Sequence, residues 1–400
     1  MKMERMFEKF VLIGLRLDIR LVFPPIQTAY GTPAGNVTDR HVTYYRQIAA
    51  QGPALLILEP VAVTPNGKEH PKQLCVHLPE SVDELKKIVN VIHAEKRLAC
   101  LHLNHAGAAA NPKASGGQPK APSAMTCPTS GQKAEALRLE EIQLIIDGYR
   151  SAADKAKQAG FDVIEIQGGH GYLVSQFLNA KINKRNDGYG QNRLQFAEEV
   201  LSAVKAGADG LPLMLRISGS EMSPDFGISH EDLQPLLNLA EKVGICAVHV
   251  GMGSACFSPP WYFHHASLPE KPQADALAWV RACTRLPLIA AGRFGRIERI
   301  KAILDGQVAD MVALGRPLLA DPDLLAKWQA KNQTDVTYCG YCLQGCLHRV
   351  KNGEPLGCNL NPEIGQPALE MTAKPLNVVV AGGGPAGMSA AVSPVSYTHL

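Results

Sequence analysis

The feature that most constrains the fold is the regular alternation of short apolar runs with longer amphipathic stretches. The runs are nearly continuously apolar, which is typical of parallel strands covered by helices on both faces. They occupy residues 21–26, 55–59, 98–103, 163–167, 213–218, 247–251, 288–292 and 311–315. Eight strands with helices between them predict a (β/α)8 TIM barrel of the α/β class. A doubly wound parallel sheet is the alternative.

Helical patterns between the runs support this alternation. Residues 140–160 have helical periodicity and end at Gly160, where a C′ glycine is expected. Residues 229–244 form a second such stretch, with Ser229 and Asp232 as capping candidates in its first turn.

Composition narrows the class of protein and its partners. The 400 residues are 46% hydrophobic and 19% charged, as in a soluble globular chain, and the net charge of +3 does not indicate a nucleic-acid partner. The first residues lack a signal-peptide pattern, and no apolar run is long enough to span a membrane. We expect a cytoplasmic protein with a small-molecule substrate and no membrane partner. The sequence does not predict the oligomeric state.

Four cysteines are spaced as ligands of one metal centre. Cys339, Cys342 and Cys346 form C-x2-C-x3-C, and Cys358 follows after eleven residues. This order suits a [4Fe–4S] cluster. A structural zinc site, which usually has two tight cysteine pairs, is the first alternative, and four unrelated thiols are the second.

The other six cysteines are irregularly spaced, mostly in apolar segments. We interpret them as buried thiols in a reducing compartment and not as a disulfide framework. They are Cys75, Cys100, Cys127, Cys246, Cys256 and Cys283.

The end of the chain has the pattern of an incomplete dinucleotide-binding unit. A predicted strand at 377–381 runs into Gly382, Gly384 and Gly387, which form G-x-G-x-x-G. Only thirteen residues follow, without a second strand or an acidic residue for a ribose. Residues 395–400 have no helical periodicity, and we expect them to be a non-native tail on a chain whose natural form continues.

These patterns divide the chain into five parts. We predict a barrel at 1–330, a cluster segment at 331–366, a linker at 367–375, the truncated start of an FAD/NAD(P) domain at 376–394 and the tail at 395–400.

Active sites of barrels lie at the C-terminal ends of the strands. Gln167 and His170 follow the fourth predicted strand and bracket a glycine pair, so both could donate hydrogen bonds to one carbonyl oxygen. Tyr172 follows them and could supply a proton. Packing at a strand end is the alternative interpretation of all three residues.

Arginines follow three further strands. Arg216 lies within an apolar strand, where a guanidinium must pair or face an anion. Gly292-Arg293 and Gly315-Arg316 follow the last two strands, where barrels commonly bind phosphate. The repetition favours a phosphate-bearing cofactor over two unrelated surface arginines.

Together with the cysteines, several motifs resemble the Old Yellow Enzyme family, specifically its iron–sulfur branch with 2,4-dienoyl-CoA reductase and trimethylamine dehydrogenase. The resemblance covers residues 6–387. Its motifs are Arg20-Leu21-Val22-Phe23-Pro24-Pro25, His105-Ala106-Gly107, Ala121-Pro122-Ser123-Ala124, His170-Gly171-Tyr172-Leu173, Gln176-Phe177-Leu178, Asn192-Arg193, both Gly-Arg turns and Asn361-Pro362.

The resemblance implies FMN in the barrel, a [4Fe–4S] cluster beside it, and FAD and NAD(P)H bound by the full-length protein. It implies that Pro25, Ile26 and Gln27 lie against the flavin ring and that Pro60 approaches it by its backbone. It places Arg216 at the N1/O2 edge of the flavin, assigns Arg293, Gly315 and Arg316 to its phosphate, and makes Tyr172 the proton donor.

Three positions depart from the family pattern. His102 stands where a flavin-contacting Gln is usual, and Gln167 stands where many members have His. The loop at 251–256 lacks the His of the dienoyl-CoA reductases, and His264 and His265 are the nearest candidates after it.

The expected activity is reduction of an activated C=C bond, with electrons passing from NAD(P)H through FAD and the cluster to FMN. Oxidation of an amine or another saturated substrate is the redox alternative. A phosphate-binding lyase or isomerase barrel with a zinc knuckle is the alternative from another class.

Overall fold

The computed structural model describes residues 4–367 and 379–392 of the chain. Its strands are β1 (Phe10–Leu12), β2 (Leu15–Leu17), β3 (Leu21–Val22), β4 (Leu55–Ile57), β5 (Val61–Ala62), β6 (Leu98–Asn104), β7 (Lys120–Ala121), β8 (Met125–Thr126), β9 (Lys133–Ala136), β10 (Val163–Gln167), β11 (Leu213–Ser218), β12 (Ala247–Gly251), β13 (Leu288–Ala291) and β14 (Met311–Ala313).

The helices connect these strands and cover them. They are α1 (Asp39–Ala50), α2 (Ser81–Ala94), α3 (Pro112–Ser115), α4 (Leu139–Ala159), α5 (Leu173–Leu178), α6 (Gly188–Gln191), α7 (Gln195–Ala208), α8 (His230–Val243), α9 (Pro259–Tyr262), α10 (Lys271–Cys283), α11 (Ile297–Asp305), α12 (Arg316–Ala320), α13 (Leu324–Gln329), α14 (Arg349–Lys351) and α15 (Pro385–Val392).

Eight of the strands form a parallel barrel. Their order is β3-β14-β13-β12-β11-β10-β6-β4, and backbone hydrogen bonds from Phe23 N–H to Leu55 O (2.8 Å) and from Ile57 N–H to Phe23 O (2.9 Å) join the two ends. The strand residues are almost all buried, because helices cover the outside and side chains fill the interior. The predicted TIM barrel is confirmed, and the doubly wound alternative is wrong.

Two predicted helices and their caps are also confirmed. In α8 the Ser229 hydroxyl accepts a hydrogen bond from Asp232 N–H (3.1 Å), and α4 ends at Gly160 with φ +86°. Because these signals are local, the sequence alone placed the helix ends to within a residue.

Two small sheets accompany the barrel. β1 and β2 form an antiparallel hairpin before the first barrel strand. β7, β9 and β8 form a three-stranded sheet in the connection between β6 and α4. Among the described residues, no helix combines the length and apolar character needed to cross a bilayer.

The free-thiol prediction is wrong for two cysteines. Cys127 in the β8–β9 connection and Cys256 in the loop after β12 form a disulfide, with their Cα atoms 5.1 Å apart. They are 129 positions apart in sequence, so spacing could not reveal the pair. Disulfides are rare in cytosolic proteins. The cysteines therefore no longer support the expected cytoplasmic location. The other four are free, with Cys75, Cys100 and Cys246 buried.

The C-terminal predictions fall partly outside the described residues. Of the predicted strand at 377–381, residues 379–381 are described and do not belong to a strand. Nearly all of the predicted linker at 367–375, and the whole predicted tail at 395–400, lie outside the described residues.

Candidate functional site

A cavity opens at the C-terminal ends of the barrel strands. It brings together residues that follow five different strands, as expected for an active site on this fold. Nine residues predicted for cofactor binding line it: Pro25, Ile26, Gln27, Pro60, Arg216, Gly292, Arg293, Gly315 and Arg316. The tenth barrel residue of that prediction, His102, is fully buried and is not among the lining residues.

Arg216 faces this cavity with unsatisfied donors. Among the described residues, its buried Nε and Nη1 atoms have no hydrogen-bond partner. Leaving a buried charged donor without an acceptor costs roughly 1–3 kcal/mol or more, so a ligand that accepts these bonds stabilises the site. The acceptor edge of a flavin ring, predicted for this position, meets that requirement.

The two arginines of the Gly-Arg turns have different surroundings. Arg316 is partly exposed, its buried Nη1 has no hydrogen-bond partner among the described residues, and its Nη2 donates to His264 O at 3.3 Å. Arg293 donates through Nη1 to the carbonyls of His265 (2.9 Å) and Leu268 (2.6 Å). Arg316 therefore has the free donor for a phosphate, whereas the Arg293 guanidinium holds the loop after β12.

Both glycines of these turns allow close packing. A Cβ on Gly292, whose φ is +118°, would lie 2.3 Å from His264 Cε1. A Cβ on Gly315 would lie 2.9 Å from Ile26 Cδ1. Any side chain here would displace these residues, so glycine at both positions lets the cavity wall pack closely against the backbone.

Gln167 and His170, predicted to act together, contact each other. The fully buried Glu165 lies 2.6 Å from His102 Nδ1, and the Gln167 amide lies 3.4 Å from His102 Nε2. Gln167 Oε1 in turn lies 3.2 Å from His170 Nδ1. A hydrogen-bond chain thus runs from Glu165 to His170, and His102 is one of its members.

Glu165 carries the negative charge of this chain. Burial alone would raise its pKa, but the charge of His249 and hydrogen bonds from His102 and His249 hold that pKa below its ordinary value. Burial lowers the pKa of His102, and it lowers that of His170 well below the usual range. His170 is therefore neutral near pH 7, as a hydrogen-bonding partner of a carbonyl would be.

Tyr172 lies at the start of α5, fully buried, and bonds to two residues that sequence reasoning missed. Its hydroxyl lies 2.8 Å from Glu69 Oε2 and 2.9 Å from the hydroxyl of Tyr262. Tyr262 also lies with its ring centroid 4.9 Å from that of His170, and it lines the cavity. Tyr262 therefore connects Tyr172 and His170 with the cavity, whereas the three predicted catalytic residues themselves are not among its lining residues.

His264 and His265 do not take the position beside Tyr172. His264 lines the cavity next to Gly292, and burial together with Arg316 lowers its pKa to about 3. His265 is exposed. The loop residue nearest to the Tyr172 hydroxyl is thus a tyrosine, Tyr262.

The cysteine segment forms one wall of the same cavity. Cys346 lines it, together with Tyr341, Leu343, Leu347, Val350 and Leu356. The segment is joined to the barrel by hydrogen bonds from Tyr30 Oη to Leu356 O (2.9 Å) and from Leu356 N–H to Thr28 O (2.8 Å). A group bound by the cysteines would therefore lie close to a ligand in the cavity.

The four cysteines lie near one another. Burial raises the pKa of Cys339, and the neighbouring Cys346 and Cys358 raise it further. Burial and then Cys342 and Cys358 act in the same way on Cys346. Within residues 4–367 and 379–392, however, no group of three or more Cys, His, Asp or Glu side chains has the arrangement of a metal site. The cluster stays a prediction.

The predicted dinucleotide turn is described from residue 379 onward. Gly382 has φ +117°, α15 begins directly after Gly384, and a Cβ on Gly387 would lie 1.9 Å from Gly382 O. This is a tight glycine turn into a helix. The binding of a nucleotide by Gly382, Gly384 and Gly387 stays a prediction.

The model of the NADH:flavin oxidoreductase / NADH oxidase family matches residues 5–335. The chain belongs to this family. Membership makes it an oxidoreductase, so the non-redox lyase or isomerase alternative is wrong. Within the described residues, the unpaired Nε and Nη1 of Arg216 and Nη1 of Arg316 fit the flavin that the family name implies: Arg216 would hold the ring, and Arg316 with Gly292 and Gly315 would hold the FMN phosphate.

Curated relatives in this flavin oxidoreductase family include an NADH oxidase of Thermoanaerobacter brockii. It is 32% identical over 391 residues, which are 95% of this chain and 60% of the relative. An NADPH dehydrogenase of Clostridium acetobutylicum is 31% identical over 322 residues, or 80% of this chain and 92% of the relative. The chain thus spans less than two thirds of the T. brockii protein but nearly the whole of the shorter relative.

A solved structure of 2-naphthoyl-CoA reductase with 2-naphthoyl-CoA has a similar fold. It superposes with a TM-score of 0.88 at 24% identity, covering 96% of this chain and 62% of that one. At this identity the likeness shows the fold and not the substrate.

Proposed function

We propose that this member of the flavin oxidoreductase family reduces an activated C=C bond of an enoate, enone or enoyl-CoA. One observation carries the proposal: Tyr262 lines the cofactor cavity while contacting both Tyr172 and His170. The hydroxyls of Tyr172 and Tyr262 and the neutral imidazole of His170 therefore lie together at one end of the cavity. The arginines that line the same cavity suit a flavin. An alkene conjugated to a carbonyl needs this combination of a proton donor and a polarising group.

Different residues of the site bind the cofactor, orient the substrate and transfer the proton. Arg216 and Arg316 would hold FMN, which when bound supplies two-electron hydride chemistry. Gln167 and His170 orient the substrate carbonyl by hydrogen bonding. Tyr172, through Tyr262, supplies the proton for the α-carbon. Tyr262 and Phe263, which follow β12, line this end of the cavity.

The electron route to the cavity is part of the proposal. A [4Fe–4S] cluster on Cys339, Cys342, Cys346 and Cys358 would lie against the cavity wall, since Cys346 is one of its lining residues. NAD(P)H and FAD would deliver electrons to this cluster, and the glycine turn at 382–387 would belong to the site that binds them.

The deciding experiment is anaerobic reoxidation of the reduced, FMN-loaded protein by a panel of enoates, enones, enoyl-CoAs and amines. The proposal expects an alkene to reoxidise the flavin and amines to have no effect on it. In the opposite direction, an amine that reduces the oxidised flavin while every alkene is inert would replace the proposal with an amine dehydrogenase. A protein that retains no flavin would contradict both.

A further inference from the structure

The hydrogen-bonded chain Glu69–Tyr172–Tyr262 connects the protein surface with the cavity. Tyr262 lines the cavity, Tyr172 lies behind it, and Glu69 lies behind Tyr172 with 8% of its surface exposed. At the outer end, Lys351 Nζ lies 3.4 Å from Glu69 Oε1, and the Lys351 side chain is 47% exposed. Gln27 donates to the other oxygen of Glu69.

The direction of the hydrogen bonds depends on the proton of Glu69. An ionised carboxylate only accepts, so Tyr172 then donates to Glu69 and Tyr262 donates to Tyr172. Both hydroxyl hydrogens point away from the cavity in that state. A protonated Glu69 can donate to Tyr172, which leaves Tyr172 free to donate to Tyr262. The hydrogen of Tyr262 can then point into the cavity, where a substrate would lie.

The surroundings disfavour a negative charge on either tyrosine of the chain. Burial and the charge of Glu69 raise the pKa of Tyr172 well above its ordinary value, and the same two causes raise that of Tyr262. The Glu69 carboxyl group, in contrast, contacts two donors, the Lys351 ammonium and the Gln27 amide. When a proton leaves the chain towards the cavity, the remaining charge therefore resides on Glu69.

We infer that Glu69 is the proton source of the reaction and that Tyr172 and Tyr262 relay its proton to the substrate. The inference rests on the proposed function, in which the alkene receives a hydride from the reduced flavin. The Glu69 O–H bond breaks and Tyr172 takes that proton; Tyr172 passes its own proton to Tyr262. The O–H bond of Tyr262 breaks as the new C–H bond forms at the α-carbon. Glu69 is left ionised and regains a proton from water at the Lys351 end.

The relay predicts opposite pH dependences for the two directions of reaction. Reduction of an alkene needs protonated Glu69, so its rate falls as the pH rises. Oxidation of a saturated substrate needs ionised Glu69 as the proton acceptor, so its rate rises with pH. Among the described residues, the titratable or charged groups near the chain include Lys351 and His70 beside Glu69, and Arg216 and His170 near Tyr262.

The first test is kinetic and uses the FMN-loaded protein with an alkene that reoxidises the wild-type flavin. Glu69→Gln should slow reoxidation by roughly 10²–10⁴-fold and abolish its pH dependence, because an amide cannot release the proton. Glu69→Asp should restore part of the rate and the pH dependence. A wild-type rate and pH profile in Glu69→Gln would overturn the relay.

The second test needs no turnover. Infrared difference spectra of the FMN-loaded protein, recorded as the pH is lowered, should show a carboxylic-acid carbonyl band that is missing in Glu69→Gln. The band should shift in Tyr172→Phe and, less, in Tyr262→Phe, since each change alters the hydrogen bonding of Glu69. If no alkene reoxidises the wild-type flavin, the proposed function is wrong, but this result does not test the hydrogen-bonded chain. A Glu69 band unchanged in both tyrosine variants would overturn the relay whatever the substrate.

Discussion

Gly345 and Cys358 approach each other so closely that a Cβ on Gly345 would lie 2.9 Å from the Cα of Cys358. The same atom would lie 2.8 Å from Asn359 N, and the Gly357 N–H donates to Gly345 O at 2.9 Å. This contact joins the two halves of the cysteine motif, which are separated by eleven residues in the sequence. A side chain at position 345 would push Cys358 away from Cys346.

The first prediction follows from that contact. Gly345→Ala should lower the iron and labile sulfide bound per chain after anaerobic reconstitution, because backbone atoms at Cys358 must move. Gly340→Ala is the matched control within the same motif, since a Cβ there meets nothing within 4 Å. Metal and sulfide analysis measures both variants. Equal loading of the two would show that the approach at Gly345 is not needed.

The identity of the metal is a separate prediction. The wild-type protein should bind about four irons and four labile sulfides per chain, as a [4Fe–4S] cluster requires. Cys346→Ala, prepared anaerobically, should lose the broad visible absorbance of the cluster. Zinc in place of iron in the intact protein would favour the zinc alternative and contradict the proposed electron route.

Arg316 and Arg293 follow equivalent Gly-Arg turns, so their alanine variants can be compared directly for FMN retention. Arg316→Ala should weaken FMN retention by about 1.5–3 kcal/mol, or roughly ten- to a hundredfold, because it removes the guanidinium whose buried Nη1 has a free donor at the cavity. Arg293→Ala should have a smaller effect on FMN, since its guanidinium bonds to the carbonyls of His265 and Leu268. Fluorescence titration of the flavin-free protein measures both affinities. The reverse ranking would assign the phosphate to Arg293.

The disulfide between Cys127 and Cys256 ties the loop that carries Tyr262 to the small sheet beside β6. Cys127→Ser should lower the free energy of unfolding by roughly 2–4 kcal/mol, because the bond closes a long loop in the unfolded chain. The double variant Cys127→Ser/Cys256→Ser should be no less stable than Cys127→Ser alone, because both lack the same disulfide. Urea unfolding without reductant measures this. Additive losses would mean that the two cysteines act independently.

The barrel was predictable because its signal is local and repeated. β10, β11 and β12 have the bounds predicted from their apolar runs, since strands covered on both faces are apolar from end to end. The first strand was predicted too long: β3 ends at Val22, and the chain then leaves the sheet at Pro24 and Pro25, which have no N–H to donate.

The site was only partly predictable, because its decisive contacts join distant segments. Glu69 is 103 positions from Tyr172, and Tyr262 is 90 positions from it. Neither stands in a motif: Glu69 is one acidic residue in a polar stretch, and Tyr262 is one of several aromatic residues after a proline pair. Motif residues such as Arg216 and Arg316 were found because polar groups at the ends of apolar strands stand out.

The last prediction concerns acid stability and the fully buried His105, which lies at the end of β6. Its Nδ1 accepts a hydrogen bond from Gly107 N–H at 3.1 Å, and its carbonyl accepts one from Leu173 N–H at 3.1 Å, next to Tyr172. Burial lowers the pKa of His105 from 6.5 to about 3. Below pH 6.5 the unfolded chain therefore binds a proton that the folded chain does not. The stabilisation is fully present above pH 6.5 and is lost as the pH falls towards 3.

Between pH 7 and pH 5 this one residue should remove about 2 kcal/mol from the free energy of unfolding. The asparagine in His105→Asn cannot titrate. The decrease in the free energy of unfolding between pH 7 and pH 5 should therefore be about 2 kcal/mol smaller in this variant than in the wild type. This comparison does not depend on how stable the variant is at pH 7. His265→Asn makes the same substitution at an exposed position and controls for the exchange itself. Urea unfolding at the two pH values gives each difference directly. If His105→Asn loses as much stability as the wild type, the ring is protonated in the folded protein, and its hydrogen bond from Gly107 cannot form as described.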